Sequence, residues 1–508
     1  MKIAVLDIVV IALYLVLIRL IGAKYTRKSN SLEHYLLASR SLGGWVAGLS
    51  LVGTSVSSIS FLAYPADAFK TNWLRFLPCL SLPLVIVWVI YFLVPKIKRS
   101  KSVTAYEVLE DRYGPSIRIY GALSFLISQL VRVSLILYLI SLMTQTMTGL
   151  DAWWCVLITG GIAAIYTTRG GFEAVVWTDM IQVVMLTLGG LICLWVIIDL
   201  TPGGLTSILN QAIADQKLSV GVMRAEADRF QDPWSYSLSH KTALMMLVVG
   251  LTHWLTEYVS NQGSLQRIYA SRTQAEARKA LWIYVGLSIP LWGLFMMLGT
   301  GLYVFFSQRA DLVPQLIHQG QVSAEEIVPY FIAHYIPTGL AGLVIAAALA
   351  AAMSSLDSSL NAIASVSVHD LYQRFKRPAG SDRHTEEQLL SIARRSTTIA
   401  AILMIIGALI LLESKSETLQ DIIITISSLL SGGLLSLYLI GWYTQRYTTI
   451  HVWCGLAVTG FCTLWSAAAA QGWVGIPFDL YYTGLIGNVV MLLTMWLSAI
   501  IYPAERRS

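Results

Sequence analysis

The feature that most limits what this chain can fold into is a succession of long apolar runs separated by short polar connections. A helix of roughly 18 or more apolar residues crosses the hydrocarbon core of a bilayer, and counting such runs predicts about thirteen spans. They lie near residues 5–23, 45–68, 73–95, 118–148, 152–168, 172–199, 242–260, 280–306, 326–370, 396–413, 418–443, 450–470 and 478–502. In hydrocarbon every backbone N–H and C=O must be bonded within the chain, and runs of this length do so as helices. The expectation is an all-α polytopic membrane protein, one transmembrane unit over 1–508. The ninth run is too long for one helix and reads as a short helix from Ala324 to Tyr335, a turn at Pro337 and Gly339, and then the span proper. The first run has no small-residue cleavage site behind it, and Lys24, Arg27 and Lys28 follow directly, so it reads as a retained anchor rather than a signal peptide.

Charged residues are only 13% of the chain, against about a quarter in a soluble domain, which excludes a water-soluble enzyme. The net charge of +6 does not point to nucleic acid, because most basic residues sit in short loops where they orient a membrane protein. With the N-terminus outside, inner loops collect Lys24, Arg40, Lys96, Lys98, Arg99, Arg267, Arg272, Arg278, Lys279 and most others of the 35 basic residues. That pattern predicts N-out and C-in, with a multi-pass location in a bacterial inner membrane. The five cysteines (Cys79, Cys155, Cys193, Cys454, Cys462) lack metal or disulfide spacing and read as core thiols. No obligatory protein partner is evident; the partners implied are the bilayer and a small solute.

Polar groups inside spans are costly and therefore mark candidate sites. The second span, Gly44 to Pro65, carries Ser50, Thr54, Ser55, Ser57, Ser58 and Ser60 around Gly48 and Gly53. Glycine tolerates non-helical angles and hydroxyls compete for backbone bonds, so an unwound stretch near Gly53 to Ser58 would bare carbonyls to a small cation. The alternative is simple small-residue helix packing. In the ninth span, Ser354, Asp357 and Ser358 share a face at helical offsets, a hard oxygen set suited to sodium or a proton. The alternative there is a carboxylate paired with a nearby cation. Asp179 lies about two turns inside the sixth span, and if it meets Asp357 a cation or proton must separate them.

Arg132 sits near the middle of the fourth span, where its planar fork would bind a substrate carboxylate; the alternative is a salt bridge to an internal acid such as Glu257. His253, Trp254 and Glu257 are candidate cavity-lining residues on the seventh span. No HExxH, GxSxG or phosphate-binding motif is present, so neither catalysis nor ATP-driven transport has motif support.

Together, the stretches SLEHYLLASRSLGGW (31–45), the Ser-rich second span, GGFEAVVWTDMIQ, SNQGSLQRIYAS (260–271) and SSLDSSLN resemble the sodium:solute symporter family over about residues 30–445. The resemblance implies the five-plus-five inverted repeat of the bacterial leucine transporter: one extra helix at 5–23, a first repeat at 45–199, a second at 242–443 and two extra helices at 450–502. It implies a main sodium site on the carbonyls of Gly53, Val56 and Ala351 and the hydroxyls of Ser354 and Ser355. A second site, as in the family's sialic acid members, would use Asp179, Ser354, Asp357 and Ser358, with Asp357 replacing a serine. Substrate contacts map to Ser57, Ser58, Ser60 and Arg132, with Cys79 where those members carry glutamine. The implied function is sodium-coupled import, with one or two coupling ions, of a small polar solute such as an acidic sugar. The same-family alternative is a neutral sugar, polyol, vitamin or amino acid; a passive channel or membrane-embedded enzyme is the remote one.

Overall fold

The protein is described here by a computed structural model covering residues 4–26, 31–99, 102–221, 233–309, 324–375, 386–413, 432–470 and 472–502. All regular elements among these residues are helical. Among the described residues, ten helices are long and apolar enough to cross a bilayer, and a bent pair makes an eleventh. The main helices are α1 (Val5–Thr26), the bent pair α2 (Gly44–Ser55) and α3 (Ser58–Lys70), α4 (Trp73–Arg99), α5 (Pro115–Thr148) and α6 (Ala152–Leu200). They continue as α7 (Ala243–Ser260), α8 (Gln262–Ala270), α9 (Gln274–Ser307), α10 (Ile327–Tyr335), α11 (Leu340–Phe375) and α12 (Glu386–Glu413). The series ends with α13 (Leu434–Tyr443), α14 (Thr449–Ala470) and α15 (Thr483–Ile501).

The fifth and sixth expected spans run together as α6, broken at Gly171, whose φ of 67° and ψ of 173° lie where a side chain would be strained. The first part alone, Ala152–Ile165, is shorter than a full crossing. Of the eleventh expected span, α13 is its end, and residues 414–431 lie outside the described residues. The short helix α10, the turn and the long span α11 follow the expected division of the ninth run.

The bundle is built around α11. It makes its broadest contact with α6, and its Ala-rich stretch (Ala346, Ala347, Ala350, Ala351) lets the two backbones approach closely. The extra helix α1 packs on both, laying Tyr14 and Ile18 against Ala346, Ala350 and Met353. Its Asp7 accepts hydrogen bonds from the backbone N–H groups of Gly339 and Gly342, each 2.7 Å, and so caps the otherwise unsatisfied start of α11. The paired helices α2 and α3 lie against α9.

Candidate functional site

Helix α2 ends at Ser55 and α3 begins at Ser58, with a 53° bend between them. The break falls where glycine and hydroxyls accumulate. Val56 is extended (φ −96°, ψ 101°), and the Ser57 hydroxyl caps the new helix by accepting from the Ile59 amide at 3.2 Å. The carbonyls before such a break lose their helical N–H partners. They find others here: the Ser355 hydroxyl lies 3.4 Å from the Gly53 carbonyl and 3.3 Å from that of Thr54, and Arg132 Nη2 donates to Thr54 at 3.2 Å.

Gly53 is required by this meeting of helices. A Cβ there would stand 2.6 Å from Ser354 Oγ and 3.4 Å from Asp179 Cβ. Of the five residues expected to hold the main sodium, Gly53, Ser354 and Ser355 are brought together, and Val56 and Ala351 are fully buried on the two helices concerned. The donors are all hard oxygens. Two oxygens about 2.4 Å from a cation of this size and about 90° apart stand roughly 3.4 Å from each other, which is the spacing between Ser355 and Gly53. The chemistry of the donor set, oxygen atoms alone, suits a sodium ion.

Next to this pair lies a closed polar cluster. Asp179, fully buried, accepts from Ser50 and Ser354 at 2.5 Å each and from Arg267 Nη2 at 3.0 Å. Arg267 also donates from Nε to Ser50 at 2.8 Å, from Nη2 to Ser358 at 2.6 Å and from Nη1 to the Gly263 carbonyl at 2.7 Å. Thr54 joins the cluster through Ser358 at 3.1 Å. Arg267, whose position in a polar stretch suggests a cytoplasmic loop, is in fact 0% exposed. It lies on α8, which is buried along its whole length, because α7 and α8 form a second broken helix interrupted at Asn261. Hydropathy cannot distinguish such a buried polar helix from a loop. The usable signal was SNQGSLQRIYAS, which the family resemblance singled out.

Asp357 does not join Asp179 through any of these bonds. Its Oδ1 accepts from Thr167 on α6, and its helix face, one turn beyond Met353, is the one that α1 covers. Asp179 is balanced instead by Arg267, which answers the charge problem posed by a buried carboxylate.

A cavity of about 300 Å³ opens beside the break. Ser57, Ser60, Cys79 and Arg132 line it, as expected of substrate contacts. Ser58 does not: it is fully buried, and its hydroxyl points to the Ile136 carbonyl at 3.5 Å. Positions 57, 60 and 64 share a helical face and Ser58 lies about 100° away from it. Cys79 Sγ is 3.3 Å from the Tyr64 hydroxyl. The opposite wall is α7, which contributes His253, Trp254 and Glu257, and Gln129 and Asn261 complete a polar lining that sequence reasoning did not single out. Arg132 forms no salt bridge among the described residues, so the alternative pairing with Glu257 is not realised here.

The family model for the Sodium:solute symporter family matches residues 35–460. The chain is 26% identical to the sodium/sialic acid symporter NanT of Aliivibrio fischeri over 97% of its length and 93% of that protein. It is 28% identical to the sodium/sialic acid symporter SiaT of Proteus mirabilis, covering 97% and 95%. The human sodium/iodide cotransporter is 30% identical over 87% of this chain and 66% of its own. Among solved structures, a Na+-coupled sialic acid symporter in a substrate-bound, outward-open state superposes with a TM-score of 0.87 at 26% identity, covering 99% of both chains. Mhp1, a nucleobase-cation-symport transporter, shares the fold at a TM-score of 0.58 and 15% identity.

Proposed function

The chain belongs to the sodium:solute symporter family, and from that premise we propose that it imports a carboxylated sugar, a sialic acid, together with sodium by alternating access. The observation that carries the reading is the meeting of Ser355 with the carbonyls of the broken α2–α3 helix, directly beside a cavity into which Arg132 faces. An ion held by Gly53, Val56, Ala351, Ser354 and Ser355 would bridge the broken helix to α11. It would favour the state in which that bridge is closed and the cavity formed, and such differential affinity is what coupling requires.

The Thr54 carbonyl links the two sites, since it meets both Ser355 and Arg132. Ion binding at the break would therefore fix the guanidinium that receives the solute carboxylate. Ser57 and Ser60 offer hydroxyls from the same helix, and Cys79 with Tyr64 replaces the amide carried by the sialic acid members. A second sodium on Asp179, Ser354, Asp357 and Ser358 belongs to this reading only in a state where Arg267 has left Asp179 and Ser358 and Asp357 has turned from Thr167.

The energetics set the scale. A tenfold sodium gradient supplies about 1.4 kcal/mol per ion, and 100 mV acting on one net charge adds about 2.3 kcal/mol. One sodium with a monoanion is electroneutral and gains only the first amount. Two sodium ions with a monoanion gain the first amount twice and the second once, about 5 kcal/mol in all, so a set membrane potential reads the stoichiometry. We read the membrane arrangement as a plasma-membrane bundle of thirteen spans, N-out and C-in, with inverted repeats at 45–199 and 242–443. The test is uptake into proteoliposomes of N-acetylneuraminate, glucuronate, glucose and proline, with and without a sodium gradient. Sodium-driven accumulation of N-acetylneuraminate is expected; accumulation that ignores sodium would overturn the reading.

A further inference from the structure

The cavity contains a carboxylate as well as a guanidinium. Among the described residues, Arg75, Arg132, His253 and Glu257 are the ionisable lining residues apart from tyrosine and cysteine, and Arg75 is bound to Asp67 at 3.1 Å. Arg132 and Glu257 are thus the opposite charges left to meet a solute, with His253 within electrostatic reach of both.

Glu257 also has a place in the chain break. Its Oε1 accepts from the Ser264 hydroxyl at 2.6 Å and its Oε2 from the Asn261 amide at 2.9 Å, so it ties α7 to α8 across the interruption. An ionised carboxylate has about four acceptor directions, and these two bonds use half of them. Glu257 and Asn261 both form part of the cavity wall. A carboxylate accepts and does not donate.

We propose that Glu257 is a specificity-determining residue that admits carboxylates bearing O–H or N–H donors and turns away bare anions. This rests on the cavity being the solute site of the proposed function. A bare anion attracted by Arg132 meets the like charge of Glu257 with nothing to offer it. A hydroxylated or amine-bearing acid places its carboxylate on Arg132 and gives its donors to Glu257, and a site built for hydrogen bonds rejects the analogue that lacks them. The residue thereby separates sugar acids from simple carboxylates or halides, the solutes named for some relatives of this chain.

The test is isothermal titration calorimetry of the purified full chain in saturating sodium, with N-acetylneuraminate, glucuronate and pyruvate as ligands. The wild type should bind the hydroxylated acids at least tenfold more tightly than pyruvate. Glu257→Gln keeps the shape but removes the charge, and should reduce that ratio at least tenfold by weakening the hydroxylated acids and strengthening pyruvate. Ser264→Ala cuts the tether across the break but leaves the carboxylate, and should hold the ratio within about threefold. An unchanged ratio in Glu257→Gln, equal loss in both variants, or wild-type preference for pyruvate would each overturn the proposal. Binding ratios that behave as expected in a protein showing no sodium-driven uptake would count against the transport function alone.

Discussion

Arg267 and Arg132 both stand inside the bundle, and their surroundings differ. Arg267 is fully buried and bonded to Ser50, Asp179, Ser358 and the Gly263 carbonyl. Arg132 faces a cavity of about 300 Å³ and donates from Nη2 to the Thr54 carbonyl. A guanidinium away from water needs its charge answered. The protein answers Arg267 from within, whereas Arg132 makes no salt bridge among the described residues. The first ties helices α2, α6, α8 and α11 together; the second is the group we propose receives the solute carboxylate.

The largest effect should follow from breaking the buried pair. Arg267→Met leaves Asp179 uncompensated, at a cost of about 3–5 kcal/mol. A thermal melt of the detergent-solubilised protein should show a large fall in Tm, and Arg267→Met combined with Asp179→Leu should recover much of it without restoring transport. An unshifted melt in Arg267→Met would contradict the structural role given to the pair.

Arg132→Lys should leave the melt unchanged and raise the apparent KM for N-acetylneuraminate by about ten- to a hundredfold, since a point charge replaces a bidentate fork. Equal KM values would remove Arg132 from the solute site and erase the contrast between the arginines.

How much of this contrast was legible beforehand is instructive. The apolar runs fixed most spans, and the glycine and hydroxyl pattern located the break within two residues. Arg132 stood out because a charge amid leucine and isoleucine is conspicuous. Arg267 did not, because its neighbours in SNQGSLQRIYAS are as polar as a loop, and only the packing of α8 against α2 and α11 reveals that it is buried. The partner of Asp357 is hidden from the sequence for a related reason. Helical spacing places it near Ser354 and Ser358, but it cannot say which neighbouring helix that face meets, and here it meets Thr167. Glu257 was legible as a cavity residue, whereas its ties to Asn261 and Ser264 depend on a second helix break that apolar counting does not mark.

Smaller effects sharpen the ion side. Ser355→Ala removes one oxygen from the proposed main sodium position and should raise the sodium concentration for half-maximal uptake about tenfold, equivalent to about 1.4 kcal/mol. The solute KM at saturating sodium should stay near the wild-type value; a sodium dependence that does not move would place the ion elsewhere. Asp7→Ala removes the cap of α11 and should lower stability by about 1 kcal/mol, visible as a modest Tm shift with sodium affinity retained.

The central claim is that ion and solute sites meet through the broken helix, and reciprocal binding tests it most directly. In the purified protein, saturating sodium should tighten N-acetylneuraminate, and saturating N-acetylneuraminate should tighten sodium by the same factor, as linkage demands. Ser355→Ala should abolish both effects together. Affinities for the two ligands that are independent in the wild type would contradict the account.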